Sequence, residues 1–348
     1  MSNGTFINSG DSIVMFGTVK AAKAGHRAYG NARGRTAAIG EWFSREEAIM
    51  GTSIKAELWA CDRASGEAAL DAVMAEMHRI DHAMSPYKPE SELSRINRDA
   101  FAAPVPVSAE MFTLLSRSIE FSDLSGGAFD ITYASVGHLY DYREGVQPSD
   151  DQIAEARQAI GYRNLKLDIK ARTVRFAREG MRIDLGGFAK GHVVDTSAAL
   201  LKRRGIRHAI VSAGGDSRVI GDRRGRPWTI GIRDPRREGE VVAVLPLEDV
   251  AISTSGDYER FFEKDGVRCH HVIDPTTGKS PSSVHSVTIL AEDGLTTEAL
   301  SKTVFVLGVD KGMRLIESLP GVDAVVVDAL GQLHYSTGLQ DGSPQTRQ

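Results

Sequence analysis

The 348 residues include only two cysteines, Cys61 and Cys269, far apart and without C-x-x-C spacing. Neither a cysteine zinc site nor a disulfide framework can be read from them. Neither sign of charge is in excess, because 42 Lys and Arg stand against 46 Asp and Glu for a formal net charge of −4. There is therefore no global basic field for a nucleic-acid backbone, and small molecules and proteins are the expected partners. No apolar run reaches bilayer-spanning length, so no transmembrane segment is expected. The first residues hold no continuous apolar signal segment and no lipobox-like cysteine. As the sequence stands the expected location is cytoplasmic, with the periplasm as the alternative if the start is misassigned.

Several ligand motifs are missing as well. No G-x-G-x-x-G opens a βαβ unit, so a Rossmann site is unsupported. Gly278-Lys279-Ser280 looks like the end of a Walker A loop, but Ile273 stands where its first glycine belongs. There is no H-E-x-x-H, and in Cys269-His270-His271 neighbours on a strand point to opposite faces, which prevents all three from sharing a metal.

What remains is 41% apolar and 25% charged, enough for a globular chain with a true core. Residues 1–45, rich in Gly, Ala, Arg, Ser and Asn, read as a poorly ordered extension, residues 46–340 as one domain, and 341–348 as a tail. Leu70, Val73, Met77 and Ile80 keep a helical period that stops before Ser85-Pro86. Ser108 is the expected N-cap of a second helix ending at Gly126-Gly127, and Ser149 with Gln152 spells a capping box for a third, with Gly161 just past its end. Residues 164–169 and 173–177 alternate as a hairpin, and a strand is expected over 181–185. Short strands follow near 208–213, 228–233, 241–247, 251–254, 268–273 and 286–291, then a helix at 297–307 and a closing pair near 324–327 and 332–336. Helices in the first half and strands in the second make this α+β with antiparallel sheets and flanking helices.

Ile183-Asp184-Leu185-Gly186-Gly187-Phe188-Ala189-Lys190-Gly191 is the most informative stretch. It runs from an apolar segment through a diglycine turn into a helix with a lysine in its first turn. Bare backbone, a helix N-terminus and an ammonium suit a phosphorylated ligand of any nucleotide type. The helix closes on Lys202-Arg203-Arg204-Gly205, cations in the last turn and glycine at C′.

Five further segments are arranged around it: Met50-Gly51-Thr52; the run from Met84-Ser85-Pro86-Tyr87 to Asn97; Gly127-Ala128-Phe129-Asp130-Ile131-Thr132; Gly214-Gly215-Asp216-Ser217-Arg218; and Thr254-Ser255-Gly256-Asp257-Tyr258 leading to His271-Val272-Ile273-Asp274-Pro275. In order and wording these six resemble the ApbE-type FAD:protein FMN transferases, from about Ala48 to Leu339. The resemblance implies a T-fold-like flavin-binding domain and FAD as substrate. It also implies transfer of the FMN half to a threonine or serine of a target flavoprotein with release of AMP, and a magnesium ion on the diphosphate. FAD storage without chemistry, or FAD hydrolysis by a pyrophosphatase activity, are the alternatives.

By position, the resemblance puts Met50, Tyr87, Ala128, Phe129, Asp130, Asp184, Lys190, Gly215, Asp216, Gly256 and Val272 at the flavin nucleotide, with His271 as the base that takes the acceptor hydroxyl's proton. Each residue also has a plainer reading. Tyr87 after Ser-Pro anchors a turn, Phe129 is core, Asp184 caps the turn after it, Lys190 is solvated, His271 bonds a nearby carbonyl, and Asp257 fixes its turn.

The chain departs from the family at the implied metal site, where an Asp and a Thr one helical turn apart, with a diglycine-turn carbonyl from Gly187, hold the ion. Counting back from Phe305-Val306-Leu307-Gly308, these positions hold Glu298 and Lys302. A glutamate can still ligate, whereas an ammonium cannot. Three readings stay open: Lys302 sits in place of the ion; Thr303 or Ser301 replaces the missing oxygen and Glu298 still ligates; or Glu298 and Lys302 are an ordinary i, i+4 pair.

Overall fold

The computed structural model describes residues 13–15 and 40–340. In chain order its elements are β1 (Ile13–Met15), β2 (Glu41–Ile49), β3 (Thr52–Ala60), α1 (Arg63–Met84), α2 (Glu92–Asp99), β4 (Val105–Pro106), α3 (Ala109–Leu124), α4 (Ala134–Gly137), α5 (Asp150–Ala156), β5 (Leu165–Asp168), β6 (Thr173–Phe176) and α6 (Ala189–Arg203). The second half adds β7 (Ala209–Ala213), β8 (Asp216–Ile220), β9 (Trp228–Arg233), β10 (Val241–Leu247), β11 (Ala251–Gly256), β12 (Phe261–Lys264), β13 (Val267–His270), β14 (Val284–Ala291), α7 (Gly294–Glu317), β15 (Asp323–Asp328), β16 (Leu333–Tyr335) and α8 (Thr337–Gln340).

An eight-stranded antiparallel sheet in the order β16-β15-β14-β11-β8-β7-β3-β2 is the backbone of the molecule. Period-2 alternation gives it two apolar faces. Ala209, Val211 and Ala213 point into the main core, where α1, α6 and α7 pack, while Ile210 between them points into a second core with Val219, Trp228, Ile230 and Ile252. The second core is closed by the small sheet β1-β9-β10.

The helices α6 and α7 meet backbone to backbone. A Cβ placed on Gly191 falls 2.2 Å from the Gly294 carbonyl oxygen, and one on Gly294 falls 2.7 Å from that of Gly191. Only glycine permits this approach. The start of α7 is fixed further by Asp195 of α6, whose carboxylate accepts the Gly294 and Leu295 N–H groups. Burial pushes the Asp195 pKa up to about 6 even so.

The α+β class with antiparallel sheets is as expected, and Ser108 and the Ser149–Gln152 capping box are present. Five expectations need correction. Residues 181–185 are extended but join no ladder, because the Asn97 side chain pairs with the Ile183 backbone and Ile131 O accepts from Asp184 N–H. The helix from Ser149 ends at Ala156 and gives way to a 3₁₀ turn before Gly161. The strand near 268–273 stops at His270. Residues 297–307 belong to a longer pair of helices over 294–317, joined at Gly308 with φ +75°. Finally, β2 begins at Glu41, inside the stretch read as an extension, and Ile13–Met15 pairs with β9. Residues 1–12 and 16–39 and the tail 341–348 lie outside the described residues.

Candidate active site

Four elements converge at one end of the large sheet: the diglycine turn with the start of α6, the first half of α7, the β7–β8 turn, and β11. Lys190 Nζ lies 2.5 Å from Asp216 Oδ2 and 3.2 Å from Glu298 Oε1. Lys302 Nζ is 3.7 Å from the same Glu298 oxygen. Both carboxylates are buried, Glu298 completely. Asp216 Oδ1 also accepts from Ser253 Oγ at 2.5 Å, and Ser301 Oγ is 2.7 Å from Ser255 Oγ. Glu298 Oε2 accepts the Gly191 N–H at 2.7 Å, while Oε1 faces both ammonium groups without a well-aligned hydrogen bond.

The charges shift one another. Burial opposes the charge on Lys190, but Asp216 and Glu298 overcome it and raise its pKa. Burial lowers the Lys302 pKa against the pull of Glu298, with Lys190 adding to the lowering. Burial and Asp216 raise Glu298 against the pull of the two lysines. Two of the turn's amides are already engaged, since Gly186 N–H donates to Asp184 Oδ1 at 2.6 Å and Gly191 N–H to Glu298. Positive charge at this helix end therefore rests mainly on the two ammonium groups.

His271 follows β13, its N–H donating to the Arg260 carbonyl. Its Nδ1 is buried and has no hydrogen-bond partner. Burial lowers its pKa well below the ordinary histidine value, and Lys302 is the leading charge that adds to this, so the ring is neutral at pH 7. Arg260 also reaches Gly51 O at 3.0 Å and so ties the Met50–Gly51 hairpin tip to this region. Met50 (φ +56°) and Gly51 (φ +69°) are both left-handed, as the two central residues of a tight I′-type hairpin turn must be.

On the other side of the turn Tyr87 is 86% exposed, its ring free to stack. Tyr133 is half-buried. Burial raises the Tyr133 pKa, and Asp184, Tyr87 and Arg260 all lie near enough to act on it. Asp184 is itself raised by burial.

Other residues singled out in the sequence have structural partners. Phe129 is buried edge-on against Phe121 and tilted against Phe188. Asp130 is buried, and its oxygens accept from Thr132 N–H and Oγ1 and from Tyr162 N–H. Ala128 is half-buried beside it. Gly215 O accepts from Thr254 N–H, Val272 is buried in the main core, and Gly256 ends β11 opposite Ser286. A Cβ on Gly256 would lie 2.4 Å from the Tyr258 ring. Thr303 Oγ1 donates to Ala299 O within its own helix. Sequence reasoning did not find Tyr133, Arg260 or the Ser253 and Ser255 hydroxyls that face Ser301. Ser253 and Ser255 at i and i+2 on one strand, one face by period 2, were the available signal.

The model of the ApbE family matches residues 50–326. The chain belongs to the ApbE family. It is 34% identical over 319 residues to the FAD:protein FMN transferase of Treponema pallidum (strain Nichols), a match covering 86% of this chain and 88% of that protein. It is 30% identical to the FAD:protein FMN transferase of Escherichia coli (strain K12), over 78% of this chain and 80% of the other. The solved ApbE protein of Thermotoga maritima MSB8 superposes with a TM-score of 0.82 at 32% identity, covering 88% of this chain and all of that one.

Magnesium does not fit the residues present. The position expected to supply a hydroxyl carries an ammonium, and the Glu298 oxygens are held by the Gly191 amide and faced by two lysines. Thr303 turns its hydroxyl to its own helix. Among the described residues no group of three or more His, Cys, Asp and Glu could hold a metal ion.

Proposed function

We infer that this protein is an FAD:protein FMN transferase, the enzyme its curated relatives are named for. The observation that carries the reading is a histidine with an unpartnered Nδ1 set near enough to Lys302 and Lys190 to feel both charges. Phosphoryl transfer is largely a matter of positioning and of neutralising charge as the bridging bond breaks. Lys190 and Lys302 supply that charge, and Tyr87 and Tyr133 offer aromatic faces for the flavin end.

The reaction then balances in one displacement. A threonine or serine hydroxyl of a target flavoprotein gives its proton to His271. Its oxygen forms a bond to the FMN phosphorus, and the bond from that phosphorus to the bridging oxygen breaks. AMP leaves with the electron pair, its charge met by Lys190 and Lys302. His271, once protonated, lies beside these cations and so gives the proton up readily.

Incubating the protein with FAD and a threonine-bearing acceptor domain tests this directly. Acceptor mass raised by one FMN, with one AMP released for each, is the expected result. Free FMN and AMP without modified acceptor would make it a pyrophosphatase, and intact FAD throughout a binding protein.

A further inference from the structure

Lys302 makes an unusual contact for a charged side chain. It lies across the diglycine turn, where a Cβ on Gly187 would stand 3.3 Å from its Cε and 3.8 Å from its Cγ. The stem is thus laid on bare backbone with its ammonium pointed at Glu298 Oε1, and the side chain is only 16% exposed. A long charged side chain normally keeps its head in water. This one is built into the site beside a second half-buried lysine, Lys190, and the two are balanced by one glutamate and one aspartate.

We propose that Lys302 is the resident cation of the diphosphate site and that this protein binds and processes FAD without a divalent metal. The inference rests on the transferase reading above. Its physical basis is the inventory of lone pairs and donors that the site presents. Lys190, Lys302, Asp216 and Glu298 sum formally to zero, so before FAD binds a dication would stand uncompensated among groups that have little water. Adding a diphosphate brings negative charge to two ammonium groups, one of them with donors not committed to well-aligned bonds. A lysine has no lone pair for a metal but three rotatable donors for phosphate oxygens. Glu298 becomes the positioning residue for both lysines, held in place by the Gly191 amide.

The test reads FAD affinity by flavin fluorescence in EDTA and in excess Mg²⁺, for the wild type, Lys302→Thr and Lys302→Met. Wild-type affinity should agree between the two conditions within about twofold, since no metal takes part. Both variants should lose about 10- to 100-fold in EDTA, as expected for removing a charge-assisted contact to phosphate. Magnesium should restore Lys302→Thr, which regains an oxygen donor beside Glu298, and should not restore Lys302→Met. Wild type that needs Mg²⁺ for FAD, or variants that bind FAD in EDTA as the wild type does, would overturn the inference while leaving the transferase reading standing. A wild type that binds no FAD in either condition would overturn both. Thermal melts confirm that each variant is folded, and manganese electron paramagnetic resonance on the FAD-free wild type gives an independent readout, in which no bound ion is expected.

Discussion

Two of the buried carboxylate clusters among the described residues are built differently. Asp257 is clamped by arginine: Arg236 Nη1 and Nη2 reach its two oxygens at 2.9 and 2.6 Å, Arg268 approaches at 3.5 Å, and His285 Nδ1 stands 3.1 Å away. Glu298 and Asp216 are instead approached by lysines, and Glu298 Oε1 lacks an aligned bond. The guanidinium fork saturates its carboxylate and fixes a geometry, whereas ammonium groups are point charges that can turn to a third anion. The arginine cluster therefore reads as architecture around the Ser255-Gly256-Asp257 turn, and the lysine cluster as a site waiting for charge.

Removing each carboxylate in turn puts this contrast under the greatest strain. Glu298→Ala strands the Lys302 ammonium, leaves Lys190 with Asp216 alone, and should cost about 3–5 kcal/mol of stability, measured by urea unfolding. Asp257→Ala should cost less, about 1–3 kcal/mol, because Arg236 is 39% exposed and water takes over part of the lost pairing. FAD affinity should collapse in the first variant and hold in the second. Equal effects on both quantities would erase the distinction.

His271 makes the lysine cluster sensitive to pH. In the free enzyme burial and then Lys302 hold His271 well below its ordinary pKa. A bound diphosphate neutralises those cations and favours the imidazolium, so the pKa must rise. Because kcat/KM for FAD follows the free enzyme and kcat the substrate complex, the acid limb of kcat should lie at higher pH than that of kcat/KM. Superimposed limbs would contradict the role given to His271.

Gly187→Ala should act more gently. The new methyl would press on the flexible end of Lys302 at 3.3 Å, moving the ammonium by a few tenths of an ångström. Stability should change by less than about 1 kcal/mol while FAD affinity falls a few-fold.

The smallest effect concerns a third carboxylate, on the surface. Arg79 forks both oxygens of Glu110, and chiefly for that reason the Glu110 pKa falls from 4.5 to about 2. A lowered carboxylate pKa contributes stability that is fully present above pH 4.5 and is lost as pH falls through about 2. Glu110→Gln should therefore flatten the decline of the unfolding midpoint across that window, and an unchanged slope would show the pair to be inert.

Much of this site is legible in the sequence because its residues announce themselves locally. Asp184-Leu185-Gly186-Gly187 and Lys190 are contiguous, a hairpin tip such as Met50-Gly51 has its own turn chemistry, and Ser149 with Gln152 defines a helix start from four residues. The i, i+4 spacing of Glu298 and Lys302 by itself puts both on one helix face. What is not legible depends on distant pairing. Residues 181–185 alternate like a strand, but Asn97, 86 positions earlier, takes the backbone bonds a neighbouring strand would have used. Tyr133 enters the site only because the chain before it is pinned by Asp130 to Tyr162. Nor does the sequence say that Lys190 shares Glu298 with Lys302, since that depends on two glycines letting α6 and α7 touch.

If two lysines, and no metal, hold the diphosphate, a crystal structure of the FAD complex grown in EDTA should show it. Lys190 Nζ and Lys302 Nζ are expected within hydrogen-bonding distance of diphosphate oxygens. FAD bound with Lys302 swung away from the diphosphate, or bound only once Mg²⁺ is supplied and then with the ion on Glu298, would contradict the two-lysine site.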